Sequence, residues 1–263
     1  MQENKKFKIV TSKKTRYLLP NILTLAGVCL GISSIKFSID GNFTLAVILI
    51  LIAAILDALD GRIARLIKGT SEFGKELDSL TDFVSFGIAP VFILYFWELS
   101  NYGKLGWAIT LIYSVCCVLR LARFNLTKIE DTEGWKNNFF EGIPSPAGGL
   151  LILMPLIYEL TNLNIGFDVI NLTPYLTILI AILLVSKIPT LALKKISISS
   201  KATVFLLLSI GIVFIALLFY TLETLLIFGV IYLISIPISI LLYNNQNKKN
   251  EEKISDDNHE DIL

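Results

Sequence analysis

Long apolar runs alternate with short polar, charge-bearing connections along the chain, and this pattern predicts an all-α, polytopic transmembrane helical bundle. Eight runs read as spans: 18–38, 43–67, 79–99, 105–124, 146–161, 172–187, 203–220 and 223–243. A helix rises about 1.5 Å per residue, so about 30 Å of hydrocarbon takes about 20 residues to cross. The fifth and sixth runs are short by that measure. No residue from Phe43 to Leu56 is charged. That stretch is too short to span, so the second helix must continue through Asp57, Asp60 and Gly61 to reach water. The first two acids then sit at or just inside the hydrocarbon boundary, where an unpaired acid costs roughly 2.5–3.5 kcal/mol. Around the membrane domain, 18–243, lie a basic arm, 1–17, and a polar tail, 244–263, expected to be disordered.

Composition agrees with this reading. Hydrophobic residues make up 54 % of the chain, and the mean hydropathy of +0.69 belongs to a membrane protein. No soluble domain, repeat or nucleic-acid motif is apparent. The formal net charge of +1 hides a strong asymmetry. With both termini and alternate loops on one side, that side collects 21 of the 23 Lys and Arg residues. The other side keeps Lys36 and Lys104 beside Asp40, Glu98, Glu159, Asp168 and Glu223. The positive-inside rule makes the rich side cytoplasmic, in the cell (inner) membrane. Polar Asn21 and Thr24 near the start of the first span, with no clear small-residue cleavage site after it, point to a retained span with a lipid-headgroup-facing arm. Cys29, Cys116 and Cys117 fall in spans without C-x-x-C spacing and read as buried free thiols. His259, the single histidine, lies in the tail, away from any candidate chemistry.

The chemistry concentrates between Asp57 and Asp82. On a helix Asp60 lies about 60° from Asp57, Gly61 about 40° and Ala64 about 20°. Asp78 and Asp82, one turn apart, share a face of the next helix. Two helices meeting on these faces bring four carboxylates into one pocket, a donor set suited to Mg²⁺ or Mn²⁺. Gly61 and Ala64 suit close helix packing or close approach of a ligand beside the acids. Arg65 either snorkels to the interface or holds a phosphate with its planar fork. Asn21 and Thr24 either cap the first helix after Pro20 or face the pocket. Arg120 and Arg123 share a face at the same membrane level; they read as anchors or as anion-binding residues. Intramembrane acids also occur in ion transporters, but there they spread along the midplane, whereas these gather at one end of two adjacent helices.

The array D57-x2-D60-G61-x2-A64-R65-x8-G74-x3-D78-x3-D82 resembles the signature of the CDP-alcohol phosphatidyltransferases at every fixed position. The resemblance implies that Asp57, Asp60, Asp78 and Asp82 bind two divalent cations and that Asp82 is also the general base. It further implies that Asn21, Thr24, Gly61, Arg65 and Ser71 contact a CDP-lipid. Three further stretches, Phe83–Pro90, Arg120–Asn125 and Gly142–Ala147, are similar to the integral-membrane phosphatidylserine synthases. They imply CDP-diacylglycerol and L-serine as substrates, with Arg120, Arg123 and Asn125 as acceptor- or phosphate-binding residues, in a homodimer. Other acceptors (glycerol phosphate, inositol phosphate, choline) and an archaeal-type CDP-ether lipid fit the same signature.

Overall fold

The computed structural model describes residues 13–127, 139–161, 169–191 and 200–260. The arm before Lys13, the loop basic residues Lys128 and Lys136, Asp168, and the His259 side chain lie outside what it describes. The described chain is built almost wholly of helices: α1 (Lys13–Ile39), α2 (Phe43–Leu66), α3 (Glu72–Asp82), α4 (Ala89–Trp97), α5 (Lys104–Thr127), α6 (Ser145–Ile152), α7 (Met154–Leu160), α8 (Thr173–Val185), α9 (Ser200–Phe219) and α10 (Thr221–Glu260). Among them, five runs are long and apolar enough to cross a membrane: Leu18–Ile39, Phe43–Leu66, Glu72–Trp97, Lys104–Leu126 and Thr221–Asn247.

Among the described residues, the expected count of eight spans is therefore not confirmed. Ile170–Val185 is a shorter apolar helix, and of α9 (Ser200–Phe219) the stretch Leu207–Phe219 is apolar. The run expected at 146–161 breaks at Leu153 into α6 and α7, with Pro155 in the first turn of α7. Proline lacks the N–H that would continue the ladder. Every residue from Leu151 to Ile157 is buried in the protein, so these two helices are sheathed by their neighbours and need not span hydrocarbon on their own. The polar stretch after Asn244, expected to be disordered, continues α10 to Glu260.

Short connections fix the topology. Gly41, at φ +77°, makes the turn between α1 and α2, and Asn42 caps α2 by accepting from the Leu45 amide at 3.2 Å. Helix α2 ends at Leu66 with the Gly69 amide reaching back to the Ala64 carbonyl and Lys68 in the left-handed region at φ +51°, a position usually given to glycine. Ser71 then caps α3, accepting from the Gly74 amide at 3.0 Å. Alternation of direction places the start of α1, the end of α2, the start of α3, the end of α5 and the start of α6 at one end of the bundle. Arg62, Arg65, Lys68, Lys75, Arg120 and Arg123 gather at that end, and Lys36 and Lys104 lie at the other.

The core of the bundle is the segment Phe83–Ile88, which joins α3 to α4 as a π-helix. In an α-helical register the Phe86 carbonyl would be bonded by residue 90, which is proline and has no N–H. The Tyr113 hydroxyl donates to it instead, at 3.0 Å. Glycines let the neighbours close in. A Cβ on Gly31 would sit 2.9 Å from Ser85 Oγ, and one on Gly149 would sit 3.2 Å from the Phe86 backbone. The Ser85 hydroxyl crosses to the Gly27 carbonyl at 3.2 Å, so Gly27 and Gly31 form a small-residue face of the kind that packs membrane helices. Tyr113→Phe is expected to destabilise the protein by about 1–3 kcal/mol, because it leaves a buried carbonyl unsatisfied. Thermal unfolding of the detergent-solubilised chain measures this, and an unchanged midpoint would refute it.

A small antiparallel ribbon, absent from the sequence expectations, joins β1 (Phe139–Glu141) to β2 (Pro189–Leu191). It is held by Gly142, at φ +72°, whose amide donates to the Ile188 carbonyl at 2.8 Å. The Thr190 hydroxyl donates to the Gly142 carbonyl at 2.7 Å. On the far side the Ser239 hydroxyl of α10 donates to the Pro189 carbonyl at 2.7 Å. The ribbon fixes the entry to α6, which matters for Ser145 below.

Candidate active site

The second half of α2 and the first two turns of α3 bring Asp57, Asp60 and Asp78 together. One carboxylate oxygen from each lies within 4.8 Å of the others. Oxygen ligands of one hard cation lie no more than about 4–5 Å apart, so three oxygens within that distance can share an ion. Asp60 is only 3 % exposed. The Thr24 hydroxyl lies 2.5 Å from Asp60 Oδ2 and 3.0 Å from the Pro20 carbonyl oxygen. Thr24 lies inside α1 rather than at its start, so it does not cap the helix, and its hydroxyl lies between the Pro20 carbonyl and Asp60.

Asp82, expected as a fourth member, stands beside the trio rather than within it. Its carboxylate faces that of Asp57, and its Oδ1 is buried with no hydrogen-bond partner among the described residues. Ionised carboxylates carry acceptors only, so two in contact call for a proton or a cation between them. An all-oxygen donor set, the 4.8 Å spacing and the orphaned Oδ1 together fit a divalent cation of the Mg²⁺ or Mn²⁺ type.

A Cβ built on Gly61 meets nothing within 4 Å, so the bundle does not need glycine there for packing. By helical spacing this open position lies about 40° from Asp57 on α2. Gly74 behaves oppositely: its Cβ would sit 3.1 Å from Ser71 Oγ and 3.2 Å from Asn21 Oδ1. Ser71 and Asn21 therefore converge on the start of α3, close to the carboxylates. Arg65 is exposed on the same end of α2.

The arginines of α5 divide their work. Arg123 donates from Nη1 to the Val185 carbonyl at 2.6 Å and from Nη2 to the Ser186 carbonyl at 2.9 Å, tying α5 to the open C-terminus of α8. Arg120 turns inward. It is 8 % exposed, stacks over the Phe124 ring at 5.3 Å, and donates from Nη1 to Ser145 Oγ at 2.9 Å. Ser145 in turn donates to Asp82 Oδ2 at 2.8 Å. Asn125 Nδ2 donates to the Ser79 hydroxyl at 3.0 Å, one residue beyond Asp78. The sequence reading gave no role to Ser145; its signal was the Gly142–Ala147 stretch itself, in which it stands between two prolines. Tyr232 of α10, also unanticipated, lies close to Arg120. The three cysteines are free thiols: Cys117 is buried and Cys116 partly so, but Cys29 is exposed on α1 rather than buried as expected.

Residues 17–185 match the sequence model of the CDP-alcohol phosphatidyltransferase family. The chain belongs to that family, as the signature implied. Among curated relatives, it is 42 % identical over 137 residues to a CDP-diacylglycerol–serine O-phosphatidyltransferase of Mycobacterium tuberculosis, covering 52 % of this chain and 48 % of the relative. It is 35 % identical over 219 residues to the enzyme of the same name from Helicobacter pylori, covering 83 % of this chain and 89 % of the relative. It is 37 % identical over 139 residues to an archaetidylserine synthase of Methanothermobacter thermautotrophicus, covering 51 % and 55 %. The match thus spans about half the length of the mycobacterial relative and most of the Helicobacter one.

Proposed function

We propose that the protein transfers a phosphatidyl group from CDP-diacylglycerol to L-serine, giving phosphatidylserine and CMP, with two divalent cations, Mg²⁺ or Mn²⁺. The observation that carries this reading is the convergence at Asp82. The signature aspartates Asp57, Asp60 and Asp78 meet on one side of it, and Arg120 and Ser145, from the two later stretches, meet on the other. Donor-lipid chemistry and acceptor chemistry thereby share a boundary. Relatives named as serine phosphatidyltransferases support the acceptor.

Asp57, Asp60 and Asp78 would hold the cations, with Asp82 at their edge. Bound there, the ions would polarise the diphosphate and stabilise the departing phosphate. The protein's own groups do the rest. Asn21, Thr24, the open face at Gly61, Arg65 and Ser71 border the place for the cytidine and phosphates. Arg120 offers a buried cation for the serine carboxylate, with Arg123 and Asn125 fixing the surrounding helix ends. As the seryl oxygen bonds to the phosphorus carrying diacylglycerol, its proton passes to Asp82. The bond from that phosphorus to the CMP oxygen breaks, and the electron pair leaves with CMP. A carboxylate with an ordinary pKa of about 4 is a weak base towards an alcohol, so the proton moves late in bond formation.

The excess of basic residues at the site end of the bundle supports a cytoplasmic face for the carboxylates and both termini, in the cell membrane. Acyl chains then stay in lipid while serine arrives from the cytoplasm. Pairing into a homodimer follows from the family resemblance.

Purified protein supplied with CDP-diacylglycerol and single acceptors tests the reading through CMP release. Serine is expected to support turnover; turnover with glycerol phosphate and not serine would overturn the acceptor. Chelation with EDTA is expected to abolish turnover, and Mn²⁺ or Mg²⁺ to restore it. Activity surviving full chelation would remove the cations from the reading. A CDP-ether lipid run in parallel tests whether the site distinguishes chain linkage.

A further inference from the structure

We infer that Ser145 is a positioning residue that fixes the orientation of the Asp82 carboxylate in the site. The inference rests on the reading of Asp82 as general base.

A serine hydroxyl has one proton and two lone pairs, and a guanidinium has donors and no acceptor. Arg120 Nη1, at 2.9 Å, can only donate to Ser145 Oγ. The Ser145 proton is therefore barred from Arg120 and is directed to Asp82 Oδ2 at 2.8 Å. One oxygen of Asp82 is thereby occupied. The other, Oδ1, is buried with no hydrogen-bond partner among the described residues, and the hold on Oδ2 sets the direction in which it points. A carboxylate without this hold would rotate about its last torsion, which is broad and roughly two-fold, and would present either oxygen in varying directions.

Both ends of the hold are rigid. Ser145 is 0 % exposed and begins α6, whose first turn is closed by the Gly148 amide on the Pro144 carbonyl at 2.9 Å. Gly149 presses that helix onto the Phe86 backbone, within the π-helix that follows Asp82. The ribbon through Gly142 fixes the chain entering α6. At the other end, Arg120 is stacked on Phe124, and α5 is tied to α8 through Arg123. Three stretches separate in sequence thus converge on one carboxylate. A buried polar trio is dearer than an apolar one of the same volume, so its presence beside the base is better explained by orientation than by packing.

The test compares full-length wild type with Ser145→Ala, Ser145→Thr and Asp82→Asn in lipid nanodiscs. Its readouts are kcat, KM for CDP-diacylglycerol, CDP-diacylglycerol affinity and thermal midpoint. Ser145→Ala removes a single oxygen and adds no bulk. It is expected to lower kcat about tenfold to a hundredfold, the range for one hydrogen bond to a charged group, with KM and CDP-diacylglycerol affinity nearly unchanged and the midpoint lowered, because Arg120 and Asp82 lose a buried partner. Ser145→Thr keeps the hydroxyl and is expected to recover most of the loss. Wild-type kcat in Ser145→Ala beside an inactive Asp82→Asn would overturn the positioning role and leave the base reading intact. An active Asp82→Asn would overturn the base reading itself. Loss of CDP-diacylglycerol affinity in parallel with kcat in Ser145→Ala, or no recovery of kcat in a folded Ser145→Thr, would assign Ser145 to packing and overturn the inference.

Discussion

Asp82→Asn is expected to abolish measurable turnover while leaving CDP-lipid affinity within about threefold of wild type. The substitution is nearly isosteric. The Asn amide oxygen can still accept from Ser145, as Asp82 Oδ2 does at 2.8 Å, so the side chain stays in place. Its other terminus becomes an NH₂ where Oδ1 now lies buried, and an amide nitrogen does not take a proton from an alcohol. General-base catalysis contributes about 10²–10⁴-fold, and a loss of that size in kcat is the predicted signature. Asp57, Asp60 and Asp78 keep their mutual spacing, so donor binding should persist. Equilibrium binding of CDP-diacylglycerol and CMP release, measured on one preparation, separate the two effects. Turnover at the wild-type rate would dismiss Asp82 as base.

The second large effect is expected at Gly61, where stability and activity should move in opposite directions. Glycine inside a helix costs roughly 0.5–1 kcal/mol relative to alanine. With nothing within 4 Å of a Cβ at this position, Gly61→Ala should raise the unfolding midpoint slightly. The same methyl occupies the open position about 40° from Asp57 on α2, and Gly61→Leu fills more of it. CDP-lipid affinity should fall about tenfold for alanine and beyond detection for leucine, with both variants folded. A leucine variant that binds CDP-diacylglycerol normally would show that the open face is not where the donor lies.

Much of the site is legible in the order of residues alone. The aspartates declare themselves because helical periodicity is a local property: residues three and four apart share a face whatever the fold around them. The sidedness of the chain is legible for the same reason, since the count of Lys and Arg between apolar runs needs no tertiary information. Membrane class follows from hydropathy alone. The number of spanning helices does not, because a run such as 146–161 reads alike whether it crosses lipid or is enclosed by other helices. Only packing shows that Leu151 to Ile157 is buried in protein.

Sequence by itself determined the class of protein, the family signature and the identity of the acids. Tertiary structure decided how those acids divide: Asp57, Asp60 and Asp78 together, and Asp82 turned toward Ser145 and Arg120. It also decided that Gly61 opens onto space while Gly74 is pressed between Asn21 and Ser71, and that Pro90 is accommodated by a π-helix capped from α5. The physical reason is common to all of these. Spacing along one helix fixes which side chains share a face, but the partner a face meets depends on close approaches between segments far apart in the chain, and no local pattern records them.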